Sequence, residues 1–147
     1  MSIDMKRATL MAGILVAVVL SGCSRAAATV AEGQPVTVYG GSYRNITATQ
    51  LKSWLEDKDF LLVNVHVPHE TDIPGTDEFV AYNEIDADLS RFPADKGAKI
   101  VVYCRSGAMS AIAAKALVRN GYTNVWNLDS GMIAWESQGG QLIPVVR

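Results

Sequence analysis

The chain has 147 residues, 49% hydrophobic and 19% charged, which excludes wholesale disorder and fits one domain with a real core. Its net charge of -2 comes from 13 basic and 15 acidic residues without a clustered basic block, so no nucleic-acid partner is expected.

The N-terminus reads as an address. Lys6 and Arg7 precede an apolar run from Ala8 to Leu20. That run is shorter than the ~20 residues a membrane-spanning helix needs, and it suits the apolar core of a signal peptide. It ends in Leu20-Ser21-Gly22-Cys23. This tetrapeptide resembles a bacterial lipobox, which implies cleavage after residue 22, acylation of Cys23 and an extracytoplasmic lipoprotein held on the membrane by its lipid. Ser24 is compatible with sorting to an outer membrane. Residues 24–35 are small, polar and end in Pro35, as expected of a tether. The domain is expected over 36–147. Acylation of Cys23 would leave Cys104, the second of the two cysteines, as a lone thiol in an oxidising compartment.

Within the domain, Val36–Tyr39 and Tyr43–Ile46 read as short strands separated by Gly40-Gly41. Thr47 and Gln50 have the spacing of a capping box, which predicts a helix over about 48–57 with Leu51, Trp54 and Leu55 on one face. Phe60–Val67 is nearly continuous apolar sequence, as in a strand buried on both faces, and Pro68 ends it. Residues 68–81 read as a surface loop, Ala81–Ile85 as a short strand, and Leu89–Phe92 as a helical turn. Lys99–Tyr103 is a second buried strand. A helix to about Asn120 follows, with Ile112, Ala113, Ala116 and Leu117 expected inward and Gly121 as its C-terminal glycine. Asn124–Leu128 is a third strand and Met132–Ser137 a short helix. This alternation predicts an α/β fold, a mostly parallel central sheet with helices on both faces. The three tryptophans are read as core.

Cys104 stands where a predicted central strand meets a loop that opens a helix, the edge at which open α/β sheets bind ligands. The loop Arg105-Ser106-Gly107-Ala108-Met109-Ser110 can turn backbone N–H groups toward the sulfur. The helix N-terminus and the Arg105 cation favour a thiolate, the nucleophilic form. Ser106 and Ser110 are candidate donors to that sulfur. His66, His69 and Glu70 form an H-x-x-H-E string, but Pro68 lies between the histidines and no metal site is expected. No cofactor is expected.

The loop Cys104–Ser110 resembles the active-site loop of rhodanese-like sulfurtransferases, C-R-x-G-x-R-S. Leu62-Val63-Asn64-Val65-His66-Val67-Pro68 is similar to that family's L-I-D-V-R-x-P segment. Ile73-Pro74-Gly75-Thr76 is similar to H-I-P-G-A, and Leu128–Trp135 to L-x-G-G-x-x-A-W. The four pieces fall in order over about residues 43–141. The resemblance implies a rhodanese-like fold and sulfur transfer. The Cys104 thiolate takes a sulfane sulfur from thiosulfate or a polysulfide, becomes a persulfide, and passes the sulfur to cyanide, a small thiol or a protein thiol partner.

The sequence departs from the pattern at three positions. Met109 stands where the loop's second Arg falls, Asn64 where the family has Asp, and His66 where it has Arg. Asn64 and His66 are expected at the pocket. The segment between Pro68 and Ile73 is short and lacks the usual Gly-His. The competing reading is a rhodanese-like binding or sensing module with little turnover. A phosphatase of the C-x5-R type is disfavoured, since Met109 and Ser110 occupy the positions where its arginine would stand.

Overall fold

The computed structural model describes residues 33–146; the expected signal peptide, Cys23 and residues 24–32 of the expected tether lie outside them. The first described strand is β1 (Gln34–Val38), which turns at Tyr39-Gly40 into β2 (Gly41–Ile46). Helix α1 (Ala48–Trp54) follows and ends in a 3-10 turn (Leu55–Asp57). Its start is the expected capping box: Gln50 N–H donates to Thr47 Oγ1 at 3.2 Å, and Thr47 N–H donates to Gln50 Oε1 at 2.9 Å. Then come β3 (Leu61–Asn64), two short pairings β4 (Thr71–Asp72) and β5 (Glu78–Phe79), and a 3-10 turn (Leu89–Arg91). The second half holds β6 (Ile100–Tyr103), α2 (Ala108–Arg119), β7 (Val125–Leu128), α3 (Gly131–Ser137) and β8 (Ile143–Pro144).

The main sheet runs β1-β2-β7-β6-β3-β5, parallel except for the hairpin strand β1. Both faces are covered, which is why the central strands carry almost no polar residues. Along β6 the side chains alternate: Ile100 and Val102 cluster with Ala113, Ala114, Leu117 and Val118 of α2, while Val101 and Tyr103 cluster with Leu51 of α1 and Met132 and Trp135 of α3. Cys104 continues this alternation onto the α2 face. Each fully buried Leu, Ile or Val adds roughly 1.5–3 kcal/mol to folding.

Several expectations need correction. Ile112 is 49% exposed, not packed inward. The inward stripe of α2 is Ser110, Ala113, Ala114, Ala116, Leu117 and Val118, and at about 100° per residue position 112 falls outside it. Ala81–Ile85 is not a strand: Glu84 N–H bonds back to the Ala81 carbonyl and Ala87 N–H to that of Glu84. The strand read over Phe60–Val67 is shorter, because Asn64 Oδ1 takes the His66 N–H at 2.9 Å and turns the chain. The loop 68–81 is not free of pairing, since β4 pairs with the C-terminal β8 and β5 with β3. The first strand starts at Gln34, two residues before the expected one.

Candidate active site at the end of strand β6

The backbone of β6 ends at Tyr103, and Cys104 begins the turn into α2. Gly107 makes this turn possible. It caps α2 with φ of +90°, a conformation glycine adopts without strain, and a Cβ there would lie 3.1 Å from the Ser130 nitrogen. In this position the Gly107 N–H donates to Cys104 Sγ at 3.0 Å. Ser110, fully buried one turn on, has its hydroxyl 3.4 Å from Sγ and 3.2 Å from the Gly107 carbonyl. Its single proton therefore serves either the sulfur or the loop. The first-turn N–H groups of α2 beyond Gly107 have no intrahelical acceptor. Negative charge developing on the sulfur thus meets a backbone donor, a hydroxyl and the positive end of a 12-residue helix.

The cysteine itself is 1% exposed. Arg105, Ser106 and Ala108 are exposed above it, and Met109 is half-buried against the α2-side core. Of the loop residues read from the sequence, Gly107 and Ser110 meet the sulfur, whereas Arg105, Ser106, Ala108 and Met109 have no hydrogen bond to it. Arg105 faces solvent.

The loop is held from its far side by a contact the sequence did not disclose. The start of α3 donates two hydrogen bonds into it: Met132 N–H to the Cys104 carbonyl at 2.9 Å, and Ile133 N–H to the Arg105 carbonyl at 3.0 Å. Gly131, with φ of +53°, packs so tightly that a Cβ would stand 2.1 Å from the Cys104 carbonyl oxygen. The available signal was Gly131 at a glycine position of the Leu128–Trp135 motif.

Asn64 and His66 have different fates. Asn64 is fully buried on the α1/α3 side, and its side chain ties the 66–72 loop together. Its Nδ2 donates to the Thr71 carbonyl at 2.8 Å and to Asp72 Oδ1 at 2.9 Å. Asp72 Oδ1 also takes the Tyr103 hydroxyl at 3.2 Å and sits 3.0 Å from His69 Nε2. Asn64 thus braces the loop and does not open onto the sulfur. Burial pushes the Tyr103 hydroxyl above its ordinary range, so it stays protonated. His66 lies beyond β3, half-buried, with Nδ1 enclosed and without a hydrogen-bond partner. Burial holds its pKa below 6.5, the nearby Arg105 charge pushes the same way, and Glu70 opposes them. Its ring is therefore neutral at pH 7 and lies close enough to feel Arg105. Cys23 lies outside the described residues.

The sequence profile of the rhodanese-like domain matches residues 47–138. A sulfurtransferase from Allochromatium vinosum is 36% identical over 105 residues, covering 69% of this chain and 92% of that protein. The thiosulfate sulfurtransferase GlpE of Pseudoalteromonas translucida is 26% identical, covering 65% of this chain and 91% of its own length. Among solved structures, a rhodanese-like domain protein from Staphylococcus aureus superposes with a TM-score of 0.56 at 28% identity, covering 66% of this chain and 95% of that one. A rhodanese-related protein from Thermoplasma volcanium gives 0.59 at 23% identity, covering 69% and 98%, which speaks to the fold alone.

Proposed function

The chain belongs to the rhodanese-like domain family, and on that premise we propose that it is a sulfurtransferase working through a Cys104 persulfide. The observation that carries this reading is the sulfur's setting: Cys104 Sγ, at the start of α2, accepts the Gly107 N–H and lies beside the buried Ser110 hydroxyl. In the proposed reaction the thiolate attacks the outer sulfur of thiosulfate. A new S–S bond forms, the old one breaks, and sulfite leaves with its electron pair. Cyanide or a thiolate then attacks the outer sulfur of the persulfide and regenerates the thiolate. A polysulfide can replace thiosulfate as donor. Because Cys104 is nearly enclosed, the partner must present its sulfur on a narrow end, as a small anion or the tip of a protein thiol does.

The proposal includes location: Cys23 is acylated, and the domain works outside the cytoplasm on the membrane. Support comes from the apolar run ending in Leu20-Ser21-Gly22-Cys23.

Intact-mass measurement after incubation with thiosulfate or polysulfide tests the chemistry. The expected result is a gain of one sulfur atom that cyanide reverses and Cys104→Ala abolishes. If no donor produces an adduct, sulfur transfer is wrong and the binding-module reading replaces it.

A further inference from the structure

Among the described residues, three exposed apolar side chains lie near one edge of the main sheet. Ile112 and Ile133 are each 49% exposed and Val67 is 41% exposed. Ile112 stands one turn into α2, the helix that rises from the cysteine loop, four residues from exposed Ala108. Ile133 is bonded through its amide to the Arg105 carbonyl. Val67 lies two residues past the point where Val65 N–H reaches the Tyr103 carbonyl. All three therefore flank the C-terminal edge of the sheet, where Cys104 sits. Of the other large exposed apolar residues, Ile143 and Val146 belong to the tail, and Tyr39 lies at the opposite edge in the β1–β2 turn.

The chain also enters the domain at the cysteine's edge. Strand β1 runs antiparallel to β2, so its first residue is at this end. Gln34 stands opposite Asn45, which is level with Asn127, which is level with Val102, two residues short of Cys104. Three strand spacings separate β1 from β6, about 14 Å. Only ten residues lead from Cys23 to Gly33, a reach of at most about 36 Å when fully extended. An anchor at Cys23 therefore pulls on the domain from the catalytic side.

We propose that this edge faces the bilayer, with Val67, Ile112 and Ile133 seated among the lipid headgroups around the mouth of the Cys104 loop. The inference rests on the acylation of Cys23 proposed above and is independent of the chemistry at Cys104. Three side chains bind a membrane weakly by themselves, but a short tether gives them a high local lipid concentration, so they act by setting orientation. The described residues hold 9 basic and 13 acidic side chains, so the contact is apolar and does not depend on attraction to anionic lipid. Sulfur donor and acceptor would then meet Cys104 at the membrane surface.

The test uses the full acylated protein in phosphatidylcholine vesicles, with or without brominated acyl chains. A fluorophore is placed at Ile133→Cys or at Tyr39→Cys in a Cys104→Ser background. The expected result is that brominated lipid quenches the probe at position 133 at least twofold more than the probe at 39. Adding Val67→Asp and Ile112→Asp should remove that difference. Equal quenching, stronger quenching at 39, or no quenching at 133 overturns the inference; burial of this patch against a protein would give the last of these, with the probe shielded from water. The mass of the same sample reports the lipid on Cys23. An unacylated chain refutes both the anchor and this orientation, while the persulfide measurement stands apart from either. An acylated chain without preferential quenching refutes the orientation alone.

Discussion

Gly131→Ala probes how the β7–α3 junction holds the cysteine loop. The added methyl would stand 2.1 Å from the Cys104 carbonyl oxygen and 2.9 Å from both the Arg105 carbonyl carbon and oxygen, all backbone atoms that cannot rotate away. Relief requires the loop and the start of α3 to part by about 1 Å, roughly the shortfall from normal contact distance. That movement breaks the bonds from Met132 and Ile133 to the two loop carbonyls, worth together about 1–3 kcal/mol. Left-handed backbone at a non-glycine residue adds about 1–2 kcal/mol. The expected loss is therefore about 2–5 kcal/mol in guanidinium unfolding, with a lower yield of persulfide because Gly107 N–H shifts away from Sγ. Gly121→Ala is the control, because its φ of +88° imposes the same kind of backbone strain, but a Cβ there meets nothing within 4 Å. It should lose only the strain, about 1–2 kcal/mol. If the two variants prove equally stable, the proposed clamp on the cysteine carbonyl is wrong.

Three further outcomes follow from the site. Asn64→Asp removes both donors of the Nδ2 group and sets a carboxylate against Asp72 in a fully buried position, so urea unfolding at pH 7 should show a loss of about 2–4 kcal/mol that Asp72→Asn relieves. Met109→Arg places a cation at the end of the loop, and thiocyanate formation from thiosulfate and cyanide should rise about tenfold or more in kcat/KM; an unchanged value would mean the position does not meet the donor. His66 binds a proton less readily when folded than when unfolded. The unfolded chain therefore takes up more protons as pH falls below 6.5, and stability drops from that pH until the folded ring also titrates. Unfolding midpoints at pH 7.5 and pH 5 should differ less in His66→Gln than in the wild type; an equal difference would assign the pH dependence to other groups.

Much of the domain was legible in the sequence because its signals are local. The Thr47–Gln50 capping box, the unbroken apolar strand before Cys104 and Gly121 at the end of α2 each depend on neighbours in the chain, and each formed as expected. The cysteine loop formed in part as expected, since a strand, a short turn with glycine and a helix start bring one backbone N–H, that of Gly107, to the sulfur. Features set by distant partners were not legible. The motif position of Asn64 pointed to the pocket, but its donors reach Thr71 and Asp72 under the sheet. Ile112 fitted an inward helical stripe by spacing, and the actual rotation of α2 on the sheet turned it to solvent. The two-residue strands β4 and β8 pair across about 70 positions and have no periodic signature of their own.

An α/β chain with a cysteine at the end of a central strand could be read from local signals alone, because hydrophobic period, capping and turn chemistry act within a few residues. Tertiary packing is what sets Gly131 against the loop from another helix, ties Asn64 to the 66–72 loop, and starts β1 at the same edge as Cys104. Those relations depend on strand order and register, which arise when separate segments bury their apolar faces together and which no single stretch of sequence encodes.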